Sequence, residues 1–153
     1  MMIRPAEPED ADILGQIMFD SIHRGDSPYS AQQRRAWLPQ PNAGNAWWGR
    51  LTRQRVAVAV EDGRPVGFMT LADDGYIDLA FILPEYRNRG LFRALLDWVE
   101  TTASEAGIDQ LWTRASLMAE GPFKATGFVT DSDEQVERDG QVLRRFRMHK
   151  WLL

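Results

Sequence analysis

Residues 76–96 read Tyr-Ile-Asp-Leu-Ala-Phe-Ile-Leu, then Pro-Glu-Tyr-Arg-Asn-Arg-Gly, then Leu-Phe-Arg-Ala-Leu-Leu. An apolar strand runs into a short basic turn, and the turn opens a helix. Pro84 ends the strand, while Leu91, Leu95, Val99 and Ala103 recur at helical spacing, the stripe of a helix that packs on a sheet. At such a helix start the first backbone N–H groups have no intrahelical partner and the dipole adds about half a positive charge, so the turn is suited to an anion. Gly90 lets the backbone approach a diphosphate with no Cβ in the way, and Arg87, Arg89 and Arg93 add charge around it.

Two common nucleotide motifs are absent. No Gly-x-x-x-x-Gly-Lys-Ser/Thr string occurs, and the glycines never fall into Gly-x-Gly-x-x-Gly, so neither a phosphate-loop NTPase nor a dinucleotide fold has local support. The string Arg87-Asn88-Arg89-Gly90-Leu91-Phe92 instead resembles the Arg/Gln-x-x-Gly-x-Gly/Ala turn of the GNAT acyltransferase superfamily, which binds the pyrophosphate of acetyl-coenzyme A there. Ile3-Arg4-Pro5-Ala6 with Asp12 resembles that family's opening strand and first helix, and Ala115-Ser116 through Gly127-Phe128 resembles its closing motif, so nearly the whole chain is covered. Phe92 departs from the pattern, standing where the family has a second Gly or Ala.

The resemblance implies an α/β fold of GNAT type, a mixed and mostly antiparallel sheet of about seven strands with helices on both faces, as one domain over residues 1–153. It implies an N-acetyltransferase that moves acetyl from acetyl-coenzyme A directly to an amine, that of a small molecule before that of a protein, without a metal. A homodimer is compatible with it. The pantetheine arm is expected between the strand that precedes the turn and the strand near Ser116, with Phe81, Ile82 and Leu83 as backbone partners and Ile82 the principal one. Arg87, Asn88, Arg89, Gly90, Leu91, Phe92 and Arg93 are the expected diphosphate cradle.

Composition bounds the function. A chain of 153 residues is long enough to bury a core without disulfide or metal staples. It has no cysteine, which excludes a disulfide, a thiolate metal site and an acyl-cysteine intermediate. A formal net charge of −4 argues against a nucleic-acid binder. No signal-peptide stretch and no run of about 20 apolar residues occurs, so the protein is expected in the cytoplasm and off the membrane. The basic run Arg144–Lys150 alternates Phe146 and Met148 with Arg145, Arg147 and His149, which reads as a solvated strand face.

Along the chain, Met2–Arg4 read as a strand, and the acidic residues after Pro8 open a helix with Ile13, Leu14, Ile17, Met18 and Ile22 as its buried stripe. Ser30 and Gln33 form a capping box for a short helix ending near Leu38, and residues 46–52 read as a further helical turn. Residues 56–60, 66–71 and 76–83 read as a meander turning at Asp62-Gly63 and Asp74-Gly75. Strands are expected at 110–115, 128–137 and 141–151, with a short helix at 119–126.

An amine with its ordinary pKa of about 10 must lose a proton before it attacks a thioester. Asp78, a charge in an apolar strand, is the first candidate base; it reads equally as a strand residue paired to an arginine. Glu61 and Glu85 flank turns and read as solubilising carboxylates, and His23 reads as a helix-end cation. The family often has a tyrosine acid four residues before the Gly-Phe pair of its last motif; Phe123 stands there, which leaves Ser116 as a hydroxyl donor or an ordinary strand hydrogen-bonder. Tyr29 and Trp37, with Trp47 and Trp48, concentrate aromatic area where the acceptor would sit, with core packing the other reading. A non-catalytic acyl-coenzyme A binding module and a partner-binding domain of the same fold are the competing functions, separated from a transferase by cofactor binding and turnover.

Overall fold

The run Val56-Ala57-Val58-Ala59-Val60 explains the layering. Its valines pack with Leu14, Ile17, Met18 and Ile22, while its alanines pack with Leu91, Leu95, Leu96 and Val99 on the opposite face. A strand buried on both faces reads as a continuous apolar run, and the alternation of large and small side chains sets how closely each helix can approach. In the computed structural model, which describes residues 1–153, this strand is β2 (Arg55–Glu61), between β1 (Met2–Pro5) and β3 (Arg64–Leu71). Helices α1 (Ala11–His23) and α3 (Gly44–Thr52) cover one face, with α2 (Ala31–Trp37) beyond them, and α4 (Leu91–Glu105) covers the other.

The remaining elements are β4 (Tyr76–Ile77), β5 (Ala80–Ile82), β6 (Gln110–Ser116), α5 (Glu120–Ala125), β7 (Val129–Arg138) and β8 (Gln141–Trp151). They complete two four-stranded sheets, β1-β2-β3-β5 and β4-β6-β8-β7. Every pairing is antiparallel except β4 with β6. The mixed, mostly antiparallel α/β architecture with helices on both faces is thus as the sequence implies. No helix is long and apolar enough to cross a membrane.

One expected element is corrected, and the correction creates the site. Residues 76–83 are not one strand: β4 pairs with β6 in one sheet, and two residues later β5 pairs with β3 in the other. Side chains replace the ladder bonds that the crossing interrupts. The buried Thr113 hydroxyl donates to the Ile77 carbonyl (2.9 Å), and the buried Thr70 hydroxyl accepts from the Leu79 N–H (3.0 Å). Between them Asp78 takes both arms of Arg50 (2.8 and 2.9 Å) and the amide of Gln54 (3.0 Å) from the α3 end of the chain. A periodicity of apolar residues carries no mark of this switch, because Ile77, Leu79 and Phe81 remain inward-facing on either side of it.

One smaller expectation also shifts. Ile13 leaves the α1 stripe and is 38% exposed, while Gly15 replaces it on the inner side, where an added Cβ would run into the Asn42 carbonyl. The capping box of α2 forms as read: Ser30 Oγ accepts from the Gln33 N–H (3.1 Å) and Gln33 Oε1 from the Ser30 N–H (2.8 Å).

At the N-terminal edge Arg4 holds Asp10 bidentately (2.7 and 3.0 Å), and the Glu7 N–H adds a third bond (2.8 Å). The hydrogen bonds from Arg4 lower the Asp10 carboxyl below its ordinary value against the opposing effect of burial. A depressed carboxylate contributes stability that is complete above the unfolded-state value, about 3.9, and is lost as pH falls through the folded one. Asp10→Asn is therefore expected to cost about 2 kcal/mol at pH 7 and to flatten the acid limb of stability below about pH 4, as measured by urea unfolding across pH.

Candidate active site

Where β5 and β6 part, two cavities meet. One, of about 280 Å³, is lined from Tyr29, Trp37, Asp78 and Phe123 across to the β7–β8 hairpin. The other, of about 710 Å³, runs along the turn after β5 and the start of α4 to α5. Ala80, Phe81, Ser116 and Ala119 line both, so the two form an arm and a chamber joined at the mouth of the split sheet.

The turn has the properties that the sequence implies for an anion cradle. Asn88 (φ 62°) and Gly90 (φ 82°) are left-handed, and Gly90 is the N-cap of α4. None of the backbone N–H groups of residues 88 to 93 donates to another group of the protein. A Cβ placed on Gly90 would meet nothing within 4 Å, so the space before these amides is open. Free N–H groups at a helix start form an anion site of the kind that phosphate groups occupy. The residues present fit the family's acyl-coenzyme A at this end of the larger cavity.

The arginines of the turn divide in a way the string Arg-Asn-Arg-Gly does not reveal. Arg87 is tucked beneath α1, donating to the Ile82 carbonyl (3.2 Å) and the Ser21 carbonyl (3.0 Å), and burial lowers its pKa below that of an ordinary guanidinium. It acts as a brace between α1 and β5. Arg89 lies over the Tyr86 ring (5.2 Å), and Arg93 only grazes the Ala125 carbonyl (3.4 Å), so these two have their donors available. Leu91 is buried in the core.

The strand β5 presents its backbone selectively. The Leu83 N–H donates to Val66 and the Leu79 carbonyl accepts from Thr70. By the two-residue alternation of an antiparallel ladder, Phe81 also turns its backbone to β3, and the groups of Ala80 and Ile82 face the cleft. Arg87 takes the Ile82 carbonyl, which leaves the Ile82 N–H free. Of the three residues expected to offer backbone to the arm, Ile82 alone has a free N–H that faces the cleft. Phe81 lines both cavities with its side chain, Leu83 lines neither, and Ala80, which the sequence reading omits, turns its backbone to the cleft beside Ile82.

Asp78 lines the smaller cavity, yet three donors occupy its carboxylate and its side chain is 17% exposed. That geometry matches the arginine-paired reading. The bond to Asp78 raises the Arg50 pKa, so the pair is favoured in its charged form. Ser116 Oγ accepts from the Ala119 N–H (3.2 Å) and keeps its own proton unengaged at the junction of the cavities. Phe123 is sealed between Phe92 (4.9 Å) and Phe128 (4.8 Å). The ring at position 92 thus fills space in the same aromatic stack where the family's phenol is missing.

Tyr29 and Trp37 reach the smaller cavity and stack edge to face at 5.5 Å. The Tyr29 hydroxyl donates to the Arg144 carbonyl and accepts from the Leu117 N–H, joining β6 to β8; burial raises its pKa. Trp47 and Trp48 belong to the α1-side core, with Trp47 donating to the Ala11 carbonyl (2.8 Å). His23 is bonded through Nε2 to the Leu38 carbonyl (2.6 Å) and Glu85 is held by Arg24, so neither lines a cavity. Arg138, at the end of β7, lines the smaller cavity and was not singled out by the sequence, because its approach depends on how the last hairpin folds back.

With this geometry in view, the comparisons are concordant. Residues 26–150 match the family model of the acetyltransferase (GNAT) domain. The chain is 33% identical over 149 residues to YafP of Escherichia coli, described as an uncharacterized N-acetyltransferase, covering 97% of this chain and 94% of that protein. It superposes with a TM-score of 0.89 and 30% identity on a GCN5-related N-acetyltransferase from Rhodopseudomonas palustris, covering 99% of this chain and 95% of that one. A putative acetyltransferase from Salmonella typhimurium, yncA, solved with acetyl-CoA, shares the fold at a TM-score of 0.71 and 18% identity over 100% of this chain and 94% of that one. The chain belongs to the GNAT acetyltransferase family and is an acyltransferase.

Three variants test the site. Gly63 has the same left-handed backbone (φ 76°) and the same open space as Gly90, but sits in the distant β2–β3 turn. Gly90→Ala and Gly63→Ala should each cost about 1 kcal/mol of stability. Only Gly90→Ala should weaken acetyl-coenzyme A binding, by about tenfold or more in calorimetry; equal affinity in the two variants would place the cradle elsewhere. Asp78→Asn should lower stability by about 1–2 kcal/mol, discounted for the partial exposure of Arg50, and lower kcat/KM without changing the shape of its pH profile. Loss of a titrating limb in a fully folded Asp78→Asn protein would identify a base.

Proposed function

We propose that residues 1–153 act as one N-acetyltransferase domain that transfers acetyl from acetyl-coenzyme A directly to the amine of a small molecule. The observation that carries this is the meeting of two cavities at Ala80, Phe81, Ser116 and Ala119, one ending in unpaired helix-start amides and the other walled by aromatic rings. The acetyl-CoA present in the Salmonella typhimurium protein of this fold supports the choice of donor.

Acetyl-coenzyme A, when bound, supplies an activated acetyl thioester; the acceptor nitrogen gains the acetyl group as the C–S bond breaks, and the proton that nitrogen gives up balances the thiol released. The chain's own part is placement and proton control. The free amides of 88 to 93 with Arg89 and Arg93 hold the diphosphate, and the Ile82 N–H with the backbone of Ala80 holds the arm along β5. Ser116 offers an unengaged hydroxyl proton where the two substrates meet, the one donor at that junction now that Phe123 supplies none. Asp78 acts as an anchor for the split between the strands, so the acceptor proton leaves to water. The arginines lining the acceptor chamber favour the neutral amine, since a like charge nearby lowers an ammonium pKa. The absence of cysteine agrees with direct transfer.

Acetyl-coenzyme A at 100 times its dissociation constant should add about 2.7 kcal/mol, raising the melting temperature by about 5–10 °C. A panel of small amines monitored by thiol release should find an acceptor whose turnover exceeds hydrolysis. No thermal shift, or no amine above background, overturns the proposal.

A further inference from the structure

The wall of the acceptor chamber is far more basic than a chain of net charge −4 leads one to expect. Five arginines line it, Arg50, Arg114, Arg138, Arg144 and Arg145, against a single carboxylate, Asp78. Asp78 is consumed by Arg50, and Arg144 is matched by Asp133 (2.8 Å). Arg114 and Arg145 share one partner, approaching the same Glu134 oxygen through their Nε atoms at 3.6 and 3.2 Å. Arg138 has no carboxylate; its one bond is a long donation to the Trp37 carbonyl (3.4 Å). Two positive charges are therefore left without a counter-ion, on side chains whose terminal nitrogens are almost unused.

An acceptor that reaches this chamber as a simple ammonium meets a field of its own sign. An acceptor that also carries a carboxylate does not, and a guanidinium holds a carboxylate in a planar two-bond fork, for which Arg138 keeps its Nε and Nη2 free. Resting on the transferase reading above, we infer that the acceptor is a free amine that bears a carboxylate, an amino acid in the broad sense, and that Arg138 with Arg114 and Arg145 seats that carboxylate. Trp37, Phe81 and Phe123 then face the remainder of the molecule. The arrangement separates the two ends of the acceptor: the anionic end lies toward the β7–β8 hairpin and the amine toward Ser116 and the cavity junction. The cations that bind the one end also ease the loss of a proton from the other. Arg138 is the specificity-determining residue because, of the three, it alone has no protein anion to satisfy it.

The test pairs each member of an amino-acid panel with its carboxamide and its decarboxylated amine, scored by coenzyme A release and, independently, by calorimetric binding to the protein with and without coenzyme A. The acids should exceed their amides by about tenfold or more in kcat/KM and in affinity, the value of a charge-assisted bond. Arg138→Gln should abolish most of that ratio and Arg138→Lys should restore part of it, with acetyl-coenzyme A affinity as in the parent protein. Equal treatment of acids and amides, or a ratio indifferent to Arg138→Gln, overturns the inference while leaving the transferase intact. If acetyl-coenzyme A gives no thermal shift, the transferase reading fails by itself; the binding arm still judges the inference, and acids that bind no better than amides overturn it.

Discussion

Everything functional in this molecule follows from one interruption, the transfer of the chain from one sheet to the other across Asp78 and Leu79. Two strands that continued side by side would close the sheet and leave no cleft. Backbone groups freed inside a protein need partners, and here Thr70 and Thr113 supply them from buried hydroxyls, while Arg50 and Gln54 fix the exposed side of the bend through Asp78. The gap is thus a bonded arrangement, held open by these four side chains around Asp78 and Leu79. Its edges, Ala80 and Phe81 on one side and Ser116 and Ala119 on the other, are what the cavities share.

The basic residues divide into three kinds of work that their identity does not announce. Arg87 and Arg4 are braces, tied to backbone or carboxylate and partly withdrawn from water. Arg144, His149 and Lys150 are matched cross-strand or inter-element partners, bound to Asp133, Asp131 and Glu100. Arg93 and Arg138, with Arg114 and Arg145 that share the one carboxylate of Glu134, keep spare donors beside a cavity, and Arg89 keeps its own over the Tyr86 ring. Only the last kind is suited to holding a mobile anion, since a guanidinium already saturated gains little from another oxygen.

Much of this was legible from residues alone because the relevant signals are local. Gly90, the helix stripe from Leu91 and the apolar run before Pro84 lie within a few turns of one another, and the capping box at Ser30 and Gln33 is four residues long. The anchor at Asp78 was legible only as an alternative, since its partner Arg50 lies 28 positions earlier. Arg138 was out of reach for the same reason: Trp37, its contact, is 101 positions away. Which of Phe81, Ile82 and Leu83 turns its backbone to the cleft depends on strand register, and a one-residue phase is set by the partner strand and not by the segment itself.

The aromatic stack of Phe92, Phe123 and Phe128 forms the partition between the helix that opens the cradle and the chamber beyond it. Benzene rings hold no exchangeable proton and no net charge. A divider of that composition keeps its shape when the medium turns acid or alkaline, so the wall between the cradle and the chamber brings no ionisable group of its own to either side.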